Sequence, residues 1–214
     1  MDSSVLDSHS STVRRLLDRI LIRLSRSIIV DGLWIGVFGD EENPEVLHRV
    51  NGALQVIKTY DPYRYKRVLR ETHRVWVHYL PGNPAEFATE LRRCLLDPRF
   101  VLSSSPEIIA SAIVHEATHG KLGRYNIGYS EEIRHRVEKV CMRQELAFAR
   151  KLPNGEELRQ RVDRRLAFPP ELWTSEAMYQ RRRAGVIALF RSELSKWLVE
   201  KFVSLREKIA GLRH

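Results

Sequence analysis

The sequence predicts an α+β protein that is mainly α-helical, and three observations carry that prediction. Most of the 214 residues lie in segments with apolar positions three and four apart, bounded by capping residues, prolines and glycines. One run, "HRVWVHYL" at 73–80, is β-branched and aromatic and closes on Pro81-Gly82, as a strand does. No stretch is rich enough in Gly, Ser or Pro to divide the chain, so residues 1–214 are read as a single domain.

Taken in order, residues 12–30 read as an amphipathic helix. Val13, Leu16, Leu17, Ile20, Leu24 and Ile28 recur at helical spacing, Arg15, Arg19, Arg23 and Arg26 take the other side, and Asp31-Gly32 ends it. "NPEVLHRVNGALQVIKTY" gives a second helix, with Pro44 in its first turn and Asp61-Pro62 beyond its end. After the strand at 73–80, "PAEFATELRRCLL" reads as a short helix and "RFVLSS" as a second strand entered through Asp97-Pro98. Ser105-Pro106-Glu107 starts another helix, which Gly120 and Gly123 bring to an end. Ser130, Glu131 and Glu132 cap and charge the start of a helix over 131–151. Pro153-Asn154-Gly155 breaks the chain, and a short charged helix follows. "FPPELW" then precedes a long basic helix at 175–210, with Thr174 as its cap and Trp173 and Met178 as its staple. The sum is about six helices and at least two strands.

Hydrophobic content of 43% and charged content of 29% are those of a globular chain. Cys94 and Cys141 form no CxxC and no disulfide scaffold, which points to a reducing, cytoplasmic setting. The start "MDSSVLDSHSS" lacks the basic region of a secretory signal, and "LLDRILIRLSRSIIV" is too interrupted by charge to span a bilayer. The net charge is +9, and the segment from Arg150 to His214 alone contributes +7 (15 Lys/Arg against 8 Asp/Glu). Such a field attracts nucleic acid, anionic membrane or an acidic partner, but equally describes a solvated helix face. Arg181-Arg182-Arg183 has no interleaved aromatics, which argues against nucleic acid. The arginine-lined helix at 12–30 allows peripheral membrane contact, although packing on the domain itself is the commoner use of such a helix.

The chemistry concentrates in "AIVHEATHGKL", residues 112–122. His115 and His119, four apart, stack on one helix face, where two imidazoles can approach one tetrahedral zinc at about 2.0–2.1 Å. Glu116 lies about 100° around the helix. It is poorly placed as a ligand and well placed to take a proton from a water beside the metal. The uncharged flank Ala112, Ile113, Val114, Ala117, Thr118 and Gly120 is that of a helix set against a core; Lys121 is the exception. A catalytic zinc takes three protein ligands. The extension H-E-x-x-H-x-x-G-x-x-H fails, because Leu122 and Tyr125 stand where glycine and histidine are required. Glu138, with 18 residues between it and His119, is the candidate third ligand, and Glu145 is its rival. The two glutamates differ by about 10.5 Å along a helix, so one zinc can use only one of them.

Here the sequence resembles the gluzincins, metallopeptidases that read H-E-x-x-H followed, commonly after 18 or 19 residues, by a glutamate on an antiparallel helix. His115, Glu116, His119 and Glu138 fall on that pattern, over roughly residues 106–148. "RVEKVCMRQELAFARKLP" is similar to the glutamate segment of small uncharacterised bacterial proteins of metallopeptidase type. The resemblance implies a zincin-like arrangement, 106–151 forming the metal-site core: metal helix and glutamate helix beside a small sheet whose edge strand holds an extended peptide or protein substrate. It implies zinc bound by His115, His119 and Glu138, with Glu116 as general base. The Gly-Ala-Met-Glu-Asn-type segment of the neutral aminopeptidases has no counterpart here. For the group that stabilises the oxyanion, Tyr125, Tyr129, His78, His135 and Tyr179 stay open. The competing expectation is a zinc-holding or inactive interaction protein that binds a partner or anionic surface through its basic C-terminal helix.

Overall fold

The computed structural model describes residues 20–38 and 43–188. The parts of the expected helices 12–30 and 175–210 that precede residue 20 or follow residue 188 lie outside the described residues. The strands are β1 Arg26–Val30, β2 Leu33–Val37, β3 Arg74–Val77, β4 Ala85–Ala88 and β5 Arg93–Leu96. The helices are α1 (20–24), α2 Asn43–Tyr60, α3 Pro62–Glu71, α4 Pro98–Ser103, α5 Pro106–Arg124, α6 Glu131–Ala149, α7 Glu156–Leu166 and α8 (175–188). The fold is α+β and mainly helical.

One mixed sheet runs in the order β1-β2-β3-β5-β4. β2, β3 and β5 are parallel, and β1 and β4 pair antiparallel with β2 and β5 at the two edges. Because side chains alternate across a strand, register decides what each face carries. Ile35, Val75 and Cys94 stand in one row across the parallel strands, and Val37, Val77 and Leu96 in the next. All six are buried and join one apolar cluster with Val50 and Leu54 of α2 and Ile109, Ile113 and Ala117 of α5.

α5 lies at the centre, packed against α2, α3, α6 and β4. Its middle, from Ile109 to Thr118, is buried on nearly every side, which is why it shows so little amphipathic contrast. Polar groups hold the surrounding helices. Asp61 caps α3, accepting from the Arg64 amide at 3.2 Å, and is also paired with Arg64 and with Lys151, whose Nζ lies 3.0 Å away. Gln144, partly buried at the edge of the inward face of α6, accepts from Arg64 at 3.1 Å and Arg67 at 2.9 Å. Among the described residues no helix is long and apolar enough to cross a membrane.

Four local expectations are corrected. The helix expected over 12–30 does not reach 30: it stops at Leu24, and Arg26–Val30 is a strand. Asp31 (φ 48°) and Gly32 (φ 82°) form the two-residue turn of a β-hairpin, the use to which Asp-Gly is best suited. "PAEFATELRRCLL" is β4, a short 3₁₀ turn and β5, with Arg92 in the left-handed region at φ 48°. "RFVLSS" lies in α4, whose cap is Asp97, accepting from the Arg99 amide at 2.9 Å, with Pro98 in the first turn. The metal-motif helix runs past Gly120 and Gly123 to Arg124. α3 was not anticipated, and the strands number five among the described residues.

Candidate metal centre and its cavity

α5 begins with Ser105 capping Ile108 and Pro106 in the first turn, and ends where Asn126 takes a left-handed φ of 57°. The chain then returns as α6. Ser111 and His115 meet Glu145, while His115 and His119 meet Glu138, so the two helices are antiparallel. Gly120 marks the closest approach of α5 to the sheet edge: a Cβ there would lie 2.6 Å from Phe87 Cζ of β4.

His115 Nε2 and His119 Nε2 are 3.1 Å apart. The Glu138 carboxylate sits against both, 3.3 Å from His115 Nε2 through one oxygen and 3.4 Å from His119 Nε2 through the other. Ligand atoms held about 2.1 Å from a tetrahedral zinc lie roughly 3.4 Å from one another, so this donor triangle fits such an ion. Glu138 is not engaged by Arg134, which pairs with Glu131 at 2.8 Å.

Cys141 also approaches, with its sulfur and one nitrogen of each histidine all within 4.8 Å of one another. Glu138 is the better third donor, because its two oxygens already lie at 3.3 and 3.4 Å from the two nitrogens. Burial, reinforced by the neighbouring carboxylates, raises the Cys141 thiol and keeps it protonated.

Glu145 takes the other nitrogen of His115. Its Oε1 lies 2.5 Å from Nδ1, and its Oε2 accepts from Ser111 Oγ at 2.9 Å. Arg165 of α7 donates to both oxygens of Glu145 through Nη1, at 3.0 and 3.1 Å. Burial opposes a charge on His115, yet Glu145, Glu138 and Glu116 outweigh it and raise the imidazole to about 10. The same contacts hold Glu138 well below the usual carboxylate range against the penalty of burial. Burial acts the other way on Glu116, raising it. Glu116 is 6% exposed, lines the cavity, and has no hydrogen-bond partner among the described residues.

The histidines, Glu116 and Glu138 open onto a cavity of about 970 Å³. Its walls come from the β4 edge (Phe87), α7 (Arg161, Arg165) and the segment around α8 (Trp173, Tyr179). Of the five groups weighed for the oxyanion, Tyr129 and Tyr179 line this cavity, whereas Tyr125, His78 and His135 do not. The Tyr129 hydroxyl donates to Glu138 and its ring packs edge-on to His119 at 5.4 Å. Tyr179 is 59% exposed. Sequence reasoning missed Ser111 and Arg165, since nothing in their local pattern marks a residue that reaches a glutamate on another helix.

Compared with known proteins, the chain matches no family model, no curated protein and no solved structure.

Proposed function

We propose that this chain is a zinc-dependent peptidase of gluzincin type, acting on a peptide or protein substrate. The observation that carries the reading is the donor triangle of His115, His119 and Glu138 beside a buried, unpaired Glu116 that faces the cavity. His115, His119 and Glu138 would hold the zinc. The chemistry zinc supplies when bound is polarisation of a carbonyl and acidification of a water.

Glu116 is raised by burial, as suits a group that must both accept and return a proton. In this reading it takes a proton from the attacking water and delivers it to the leaving amine. Glu145 keeps the His115 ring fixed through Nδ1, and Tyr129 does the same for Glu138. β4, at the outer edge of the sheet beside the cavity, offers its backbone to an extended substrate. Of the two cavity tyrosines weighed for the developing oxyanion, Tyr179 is the one left to meet it, since Tyr129 is committed to Glu138. Cys94 and Cys141 are buried and unpaired, which suits a reducing, cytoplasmic setting.

The test is zinc content of the purified chain, followed by hydrolysis of a peptide library by wild type and Glu116→Ala. About one zinc per chain and hydrolysis by wild type alone are expected. Zinc without any hydrolysis would favour a zinc-holding interaction protein instead.

A further inference from the structure

Five arginines line the cavity, against four glutamates: Glu86, Glu116, Glu138 and Glu145. Three of the arginines are engaged with groups outside the metal centre. Arg134 donates to Glu131, Ser175 and the Trp173 carbonyl, Arg181 to the Leu172 carbonyl, and Arg182 pairs with Glu86 at 2.6 Å. Arg161 and Arg165 remain, four apart and therefore stacked on one face of α7. That helix is anchored by its buried Leu158 and Val162.

Arg161 is exposed to the cavity and has no hydrogen bond or ion pair among the described residues. Arg165 holds both oxygens of Glu145 with Nη1 alone, so its Nε and Nη2 edge has no partner among the described residues. Its side chain is 32% exposed. A guanidinium edge with two parallel donors is the preferred partner of a carboxylate, and a second guanidinium one turn away adds to the attraction. Glu145 pairs with Nη1 of Arg165 and with His115, and Glu138 is turned to the two histidines, so the unpaired positive charge on this wall is that of Arg161.

We propose that Arg161 and Arg165 form an anion-docking subsite, and that the peptide taken into the cavity carries a carboxylate there, on a side chain or at its C-terminus. This rests on the peptidase reading. The relay from Arg165 through Glu145 to His115, 3.0 Å and then 2.5 Å, keeps the subsite close to the metal centre.

The test is equilibrium binding to zinc-loaded, full-length Glu116→Gln, followed by fluorescence. The probes are four dansyl hexapeptides of alanine and phenylalanine, with aspartate or asparagine at the fourth position and a free or amidated C-terminus. Neutralising the recognised carboxylate should weaken binding about 10-fold, and the two arms tell side chain from chain end. Arg161→Ala should abolish that difference. Arg143→Ala, an exposed arginine of α6 outside the cavity, should preserve it. Equal or undetectable binding of all four peptides overturns the subsite, as does an equal effect of Arg143→Ala. If wild type hydrolyses peptides irrespective of charge, the subsite fails and the peptidase reading stands. Charge-selective binding without hydrolysis of any peptide overturns the peptidase reading alone.

Discussion

Glu145 Oε1 lies 2.5 Å from Nδ1 of His115, on the side of the ring that faces away from His119 and Glu138. With Nδ1 as the donor, the ring presents Nε2 toward the other two donor atoms. Ser111 and Arg165 in turn fix Glu145, so four residues from three helices determine the direction of one nitrogen.

That relationship separates the roles of two glutamates seven residues apart. Glu138→Ala removes a donor and should abolish stoichiometric zinc. Glu145→Gln keeps all three donors and loosens only the ring, which should weaken zinc affinity by about 10–100-fold. Competition against a chelator measures both, with circular dichroism to verify the fold. A larger loss in the Glu145 variant would exchange the two roles.

Glu116→Ala should retain about one zinc per chain while hydrolysis falls by ~10²–10⁴-fold, the range for a lost general base. His115→Ala should lose zinc and hydrolysis together. Metal analysis and a peptidase assay on the same preparations decide; a metal-free but folded Glu116→Ala would make Glu116 a ligand rather than a base.

Asp61 gives a prediction about stability and pH. Burial would raise its carboxyl, but hydrogen bonds from Lys151 and Arg64 hold it below its ordinary value. A carboxylate lowered in the folded state contributes stability above its unfolded pKa of about 3.9, and that stability is lost as pH falls through the folded value. Asp61→Asn should therefore destabilise at pH 7 by about 2–4 kcal/mol, from a weakened cap and an unpaired Arg64. Denaturant unfolding at pH 7, 5 and 3 should show the gap to wild type closing at the lowest pH. A gap that persists unchanged there counts against a charged Asp61.

The sequence marked long elements better than short ones. α2 and α5 were legible because a first-turn proline agrees with the helical periodicity, and α6 and α7 because paired glutamates open their first turns, although the expected cap Ser130 makes no side-chain bond to its helix. The short strands were lost where helical spacing imitated them: Leu24 and Ile28 continue the periodicity of the first helix, although Ile28, Ile29 and Val30 before Asp31-Gly32 are a hairpin signal. β5 owes its form to burial between β3 and β4, which overrides the local preference of "ELRRCLL". α3 and α4 share one overlooked signature, aspartate followed by proline, in which Asp61 and Asp97 cap and Pro62 and Pro98 open the first turn. In the candidate site, the facing of His115 and His119 was legible from their spacing. Arg165 was not, because its role depends on where α7 folds back.

Gly185 and Gly82, the latter in the cavity wall, bring two backbones into contact. A Cβ on Gly185 would lie 2.2 Å from Gly82 N and 2.7 Å from its Cα, and Gly82 itself holds a φ of 82°. Backbone cannot swing aside as a side-chain end can, so Gly185→Val should lift α8 from the 80–84 loop. The Arg182–Glu86 pair, nearly half exposed, is too weak to hold it there. Gly52 supplies the contrast: it lies within α2, and a Cβ added to it would meet nothing within 4 Å, so Gly52→Ala should stabilise by about 0.5–1 kcal/mol. Hydrogen exchange over 175–188 should accelerate at least tenfold in Gly185→Val while the core amides of α5 keep their protection. Unchanged exchange over 175–188 would mean that α8 does not depend on this crossing. Acceleration in α5 as well would mean that α8 and α5 unfold as one unit.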